Sequence, residues 1–287
     1  MIKHHLSVSL LLSLFSVTGL QAGNFGKDDR IDTVFASALA QSLGESVPAL
    51  VKKTNIKFID QDHFQLIGTD VQKLGLCPTE KFSEEKQIAN CSGSLISPRH
   101  ILTAAHCLDQ DQHACDKYNI VFGYARPVIP FTSTPIIPSH QVYACKKIIH
   151  SKFDMFGEDL AIIELDREVK DKDLVKLNFK PELQIGDDLL LIGYPWGISQ
   201  KVVEAGEVLK VESKRVTFQH NLDTFSSNSG GPIFNQTGEQ VGVLVRSTAS
   251  NFNRMPNGKC DFWGRARTQD FAEGNSLERI QEIFDSL

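Results

Sequence analysis

The sequence predicts an all-β fold, a barrel or a sandwich. Three observations lead there. First, from about Gln87 onward short apolar runs are separated by Gly, Pro, Asn and Ser. The runs are Ser94–Ile96, Ile101–Thr103, Ile120–Phe122, Lys147–Ile149, Leu160–Leu165, Leu189–Ile192, Val202–Leu209, Arg215–Phe218, Pro232–Phe234 and Gln240–Val245. Short strands at such spacing belong to sandwiches and barrels. Second, too few helical stretches lie between them for a parallel α/β sheet. Third, the 287 residues, less a removable start, suit one large β unit or two domains.

That start is Met1-Ile2-Lys3-His4-His5, followed by an apolar run from Leu6 to Leu20 and a small residue at Ala22. A basic opening, a short apolar stretch and a small residue describe a secretory signal peptide, residues 1–22. The run is broken by serines and is short for a span of ~20 apolar residues. Cleavage after Ala22 is therefore expected, with a secreted or periplasmic product of residues 23–287. No later run is apolar enough for stable membrane insertion. The formal charge is −5 with acids and bases interspersed. Without a basic stripe, nucleic acid is not an expected partner. Six cysteines in an exported chain read as disulfides.

Residues 23–60 are mixed. Gly26-Lys27-Asp28-Asp29-Arg30 is turn-like, and Ser37–Leu50 reads either as a helix or as strands. Near the other end, Leu277, Ile280, Ile283 and Phe284 recur at helical spacing after Asn275 or Ser276 as an N-cap. One C-terminal amphipathic helix is predicted.

Three segments carry chemistry. In Leu102-Thr103-Ala104-Ala105-His106-Cys107 a strand ends in two small residues that leave the imidazole of His106 accessible. Most lone histidines are satisfied core or surface residues, so the whole hexapeptide is the signal. Cys91 precedes Cys107 by sixteen positions. A Cys91–Cys107 bridge would staple this turn to the preceding strand, worth ~3 kcal/mol by chain entropy. In Asp159-Leu160-Ala161-Ile162-Ile163-Glu164-Leu165 an acid stands at the entrance of an apolar strand. Asp159 there can orient a histidine and stabilise its imidazolium, or simply cap a turn. Glu158 and Asp154 are weaker alternatives. In Ser226-Ser227-Asn228-Ser229-Gly230-Gly231-Pro232 a tight loop exposes the Ser229 hydroxyl and gathers backbone N–H groups. Gly230 and Gly231 are read as removing side chains that would crowd a substrate.

Together these segments resemble the chymotrypsin-like serine peptidase family: TAAHC around His106, DLAIIEL from Asp159 and NSGGP around Ser229, in the family's order. The resemblance implies two packed, antiparallel six-stranded β-barrels, about 86–175 and about 185–270, with a cleft between them. His106 and Asp159 would come from the first and Ser229 from the second. It implies a polypeptide substrate, no cofactor, a monomer, and an oxyanion hole from backbone N–H groups of Ser227, Asn228 and Ser229. Asp223-Thr224-Phe225-Ser226-Ser227 looks closer to secreted bacterial glutamyl-endopeptidase-like members than to digestive ones. The stretches at 26–30 and around Leu76-Cys77-Pro78 and Lys81-Phe82 look similar to such members too.

The sequence departs from the family at two points, and its pocket region adds a third feature. Serine stands at 227, where glycine is usual. Asn228 replaces the aspartate that pairs with a liberated amino terminus in digestive members. Asp223, six residues before Ser229, lies where the base of the primary pocket is expected, with Thr224 as a pocket hydroxyl. Arg246 reads equally as a ligand for an acidic side chain or as a solvent-facing residue. Residues 23–85 read as a pro-segment or as strands added to the first barrel. Cys115–Cys145 is the expected second bridge, leaving Cys77 for Cys260. Two rivals stand beside the peptidase. One is a zinc site from His106, Cys107, His113 and Cys115, whose spacing matches no common zinc pattern, so no metal is expected. The other is a binding or adhesion protein on the same fold, catalytically weak or inactive.

Overall fold

The computed structural model describes residues 23–108, 113–125, 135–212, 216–256 and 258–287. The expected signal peptide lies outside them. Among the described residues no helix is long and apolar enough to cross a membrane.

The chain forms two barrel-like antiparallel sheets. In the first, the strands run in the order 89–92, 49–52, 118–121, 142–153, 159–165, 100–103 and 94–97. The outermost two, Ala89–Ser92 and Ser94–Ser97, adjoin at Gly93, so the open sheet nearly closes on itself. Its core is the apolar face that the sequence runs announced: Leu50, Leu95, Ile101, Leu102, Ile120, Phe122 and Leu160–Ile163 are all buried. Asp159–Leu165 is buried along its whole length, which is why it reads as a continuous apolar run rather than an alternating one. The second sheet closes fully. Lys201–Glu212 pairs on one side with Asp188–Gly193 and on the other with Thr217–His220, completing a ring of six strands. Leu189, Leu191, Val203, Val208, Phe218, Ile233 and Leu244 fill it. Closure leaves the strands of this ring no unpaired edge.

Residues 23–85 are woven into both sheets. Ser37 caps a helix at Ala38–Gly44, its side chain accepting from Ala40 N–H at 3.2 Å. Pro48 lies beyond that helix, and Ala49–Lys52 then enters the first sheet between Ala89–Ser92 and Tyr118–Val121. The 37–50 stretch is thus helix first and strand after. Ile31–Asp32 pairs with Lys201–Val202 on the second barrel. This junction is buried and charged. Lys201 is 1% exposed; its Nζ lies 2.8 Å from both Asp32 Oδ1 and Glu85 Oε1. Glu85 Oε2 also accepts from the Ser199 N–H and hydroxyl.

The expected C-terminal helix is present but short, and its cap differs from expectation. Asn275 is the last residue of the strand Ala272–Asn275 and caps nothing; Ser276 Oγ donates to the Val216 carbonyl instead. The helix is split into a 3₁₀ turn, Glu278–Ile280, and one α-turn, Gln281–Phe284. Its apolar stripe does what the periodicity asked: Leu277 and Ile280 are buried in the core of the first barrel, with Ile283 and Phe284 packed against it.

Three disulfides join Cys91 to Cys107, Cys115 to Cys145 and Cys77 to Cys260. The pairs coincide with those expected.

Removing one partner of a buried ion cluster leaves an uncompensated charge. Glu85→Ala is expected to destabilise the protein by about 3 kcal/mol, read as a lower urea midpoint with unchanged slope.

Candidate active site

His106 lies in a single 3₁₀ turn, Ala105–Leu108, that follows the strand His100–Thr103. Asp159 opens the neighbouring antiparallel strand, where Ala161 pairs with Thr103. That register carries the acid to the histidine. Asp159 Oδ2 is 2.7 Å from His106 Nδ1, and Oδ1 accepts the His106 backbone N–H at 2.9 Å. Two bonds to one carboxylate fix both position and rotation of the ring. They assign Nδ1 as donor, which turns Nε2 toward the cleft as the free nitrogen. Asp159 is 1% exposed.

Asp159 is held in turn by a residue the sequence reading missed. Asn275 Oδ1 accepts the Asp159 N–H at 2.5 Å, and its Nδ2 donates to Gly157 C=O at 3.0 Å. Asn275 belongs to the second barrel, so it ties the acid across the interface. Its position just before an amphipathic run made it look like a cap. The two alternative acids are elsewhere engaged: Glu158 contacts His150 and Lys152 at 3.0 Å each, and Asp154 accepts from Phe156 N–H.

Ser229 lines a cleft with His106, and Thr224–Ser227, Leu244–Ser247, Lys52, Asn90 and Tyr118 complete the walls. The cleft holds about 320 Å³, near the low end for ligand-sized cavities. Phe225–Asn228 is a tight turn, closed by Asn228 N–H donating to Phe225 C=O at 3.0 Å. Ser227 has φ +71°, the sign a type II turn requires at its third residue and the reason glycine is favoured there. The Ser226 carbonyl accepts from Trp196 N–H at 2.5 Å. Because a trans peptide sets N–H opposite C=O, the Ser227 N–H points away from Trp196. Asn251 braces the same residue, accepting from Ser226 N–H at 2.9 Å and donating to its hydroxyl at 2.8 Å.

Several expectations need correction. Asn228 N–H is spent on the turn, so it is unavailable as an oxyanion donor. Gly230 and Gly231 make room for the protein rather than for substrate. A Cβ on Gly230 would meet Ser92 C=O at 2.1 Å and Thr103 Oγ1 at 2.2 Å, and one on Gly231 would meet Ile192 C=O at 2.8 Å. Asp223 does not line the cleft. It is buried, and its two oxygens accept from Phe25 N–H at 2.6 Å and Asp29 N–H at 2.8 Å. Thr224 does line it, with a buried Oγ1 that has no partner among the described residues. Arg246 also lines it, but its guanidinium faces Glu273 at 3.3 Å and the Met155 carbonyl, and only 16% of it is exposed. It is not a solvated charge, and its Nη2 has no partner among the described residues. The zinc reading loses its thiols, because Cys107 and Cys115 are both in disulfides.

Burial raises the Asp223 carboxyl to about 7, against the two N–H bonds that favour its charged form. The folded state then holds a proton that the unfolded chain has released. Asp223 therefore withdraws stability as pH rises from about 4 to 7, by up to about 1.4 kcal/mol per unit, and opposes His220, whose imidazole is lowered to about 3 by burial and adds stability over much of the same range. Asp223→Asn should make the slope of stability against pH more positive than in wild type by up to about that amount, as measured by urea unfolding across that range.

Comparison with known proteins matches residues 91–243, more than half of the chain, to the trypsin-like peptidase domain. Phenoloxidase-activating factor 3 of Holotrichia diomphalia is 24% identical over 225 residues, 62% of each chain. A probable periplasmic serine endoprotease DegP-like of Pseudomonas putida (strain GB-1) is 32% identical over 90 residues, 30% of this chain and 18% of that protein. The chain thus spans less than two thirds of either relative. Among solved structures, a Glu endopeptidase shares 15% identity at TM-score 0.52, with 91% of this chain and 97% of that one covered. The Vibrio cholerae VesB protease shares 16% at TM-score 0.51, with 89% and 65% covered. At such identity these two report the fold, which is that of the two-barrel serine peptidases. With that fold and the domain match together, the chain belongs to the trypsin-like serine peptidase family.

Proposed function

We propose that the protein is a secreted serine endopeptidase with His106, Asp159 and Ser229 as its triad. The observation that carries this reading is the double hydrogen bond from His106 to Asp159, at the mouth of a cleft that Ser229 also lines. In this reading Ser229 Oγ attacks the scissile carbonyl while His106 Nε2 takes its proton. The imidazolium that forms is stabilised by the buried Asp159. The proton then passes to the leaving amine, and water hydrolyses the acyl-enzyme by the same relay. Ser227 and Ser229 N–H make no hydrogen bond to protein among the described residues, which leaves both for the oxyanion. Residues 23–85 remain part of the mature enzyme in this proposal, because they supply a strand to one barrel and a buried ion cluster to the other. Export is supported by the three disulfides.

A fluorophosphonate probe should label the mature protein, and Ser229→Ala should abolish labelling. A folded wild-type sample that stays unlabelled would favour the non-catalytic binding protein. His106→Ala should lower kcat by ~10³-fold or more. Ser227→Gly should relieve a positive φ and stabilise the protein by about 1 kcal/mol without loss of kcat; urea unfolding and peptide turnover measure the two halves of that expectation.

A further inference from the structure

Residues 23–30 press against the segment that leads into the nucleophile turn. Gly23 C=O accepts from Thr224 N–H at 3.1 Å, and Asn24 bonds to both Gly264 and Ala266. Asp223 gathers the Phe25 and Asp29 N–H groups. Arg30 is fully buried. Its guanidinium stacks 4.0 Å from the Phe225 ring centroid and 4.4 Å from that of Trp263, and Asp28 binds it through two bonds of 2.9 and 2.6 Å.

Burying an arginine is costly, and here Nη1 has no partner among the described residues. Apolar filling of the same space would avoid that cost. What the arginine adds is a hold on Phe225, the first residue of the turn. The turn needs holding. Ser227 at φ +71° lies in the left-handed region that a residue with a side chain disfavours. Reversing the Ser226–Ser227 peptide would leave that region and turn the donor away. Asn228, which is buried at the turn's other end, has no charge with which to pair an amino terminus.

We propose that residues 23–30 form a built-in clasp, with Arg30 and Asp223 as positioning residues, that holds Phe225–Asn228 in its donor-presenting conformation. The clasp rests on the reading of Ser229 as nucleophile and of Ser227 N–H as oxyanion donor. It removes the need for a liberated amino terminus to organise the site.

The test compares wild type, Arg30→Met, Ser227→Gly and the double variant. Arg30→Met keeps a long apolar side chain on the rings and loses the cation. The readouts are kcat, KM, the rate of fluorophosphonate labelling and urea unfolding. Loss of one oxyanion donor lowers kcat by ~10²–10³-fold. Arg30→Met, which only loosens the donor, should lose about tenfold or more in both kcat and labelling rate, with KM within about twofold. Adding Ser227→Gly should restore most of that loss, because glycine holds the positive φ unaided. A merely structural role for Arg30 would not be rescued in this way. Unchanged kcat in Arg30→Met, or a loss that Ser227→Gly leaves in place, overturns the clasp. If Arg30→Met fails to fold, Phe225→Leu removes the same contact and carries the same comparison. Wild-type protein that does not label at Ser229 overturns the nucleophile reading itself, before any variant is made.

Discussion

One buried carboxylate sets the geometry of the cleft. Asp159 receives both the backbone N–H and the ring Nδ1 of His106, and its own N–H is held by Asn275 from the other barrel. The histidine is therefore referenced to both halves of the molecule at once. A second link runs the opposite way. Ser92 N–H donates to Ser229 C=O and Ser92 Oγ to Ser227 C=O, so the first barrel grips the turn of the second. Gly230 permits that approach, since any side chain there would strike the Ser92 carbonyl. The two barrels carry different members of the site, and these crossed bonds keep them in register.

The fold was legible because its signal is local. Apolar runs such as Leu160–Leu165 and Leu189–Ile192, cut by turn residues, report strands wherever the sheets later close. His106, Asp159 and Ser229 stand out in the sequence because each sits in a short pattern of small residues or at a strand entrance, and the structure bonds the first two and sets the third on the same cleft. What was not legible depends on contacts between distant segments. Asp223 looked like a pocket base, yet its partners, Phe25 and Asp29, lie 198 and 194 residues away. Asn275 looked like a helix cap, and its partner Asp159 lies 116 residues away. Nothing in the neighbourhood of either residue announces a hydrogen bond of that range. The counter-ion of Arg246 was hidden for the same reason, since Glu273 comes from the next strand of the barrel.

The glycines show a further limit of local reading. Gly230 and Gly231 read in the sequence as space for a substrate, and they are space for neighbouring segments of the same protein. The residue type was informative; the object that needs the room was not. Ser227 carries the opposite lesson. A serine at a glycine position does not abolish the turn, because Trp196, Asn251 and the rings around Phe225 surround it with constraints. Strain of this kind persists where neighbouring structure over-determines it.

The Cys77–Cys260 bridge has a consequence for how this molecule survives a backbone cut. It closes a covalent ring over a separation of 183 residues, and His106, Asp159 and Ser229 all lie inside that ring. A single break of the backbone between these cysteines linearises the ring without releasing either piece. The fragments stay tethered with their strands still paired, so a nick in an exposed loop becomes a scar rather than a dissociation.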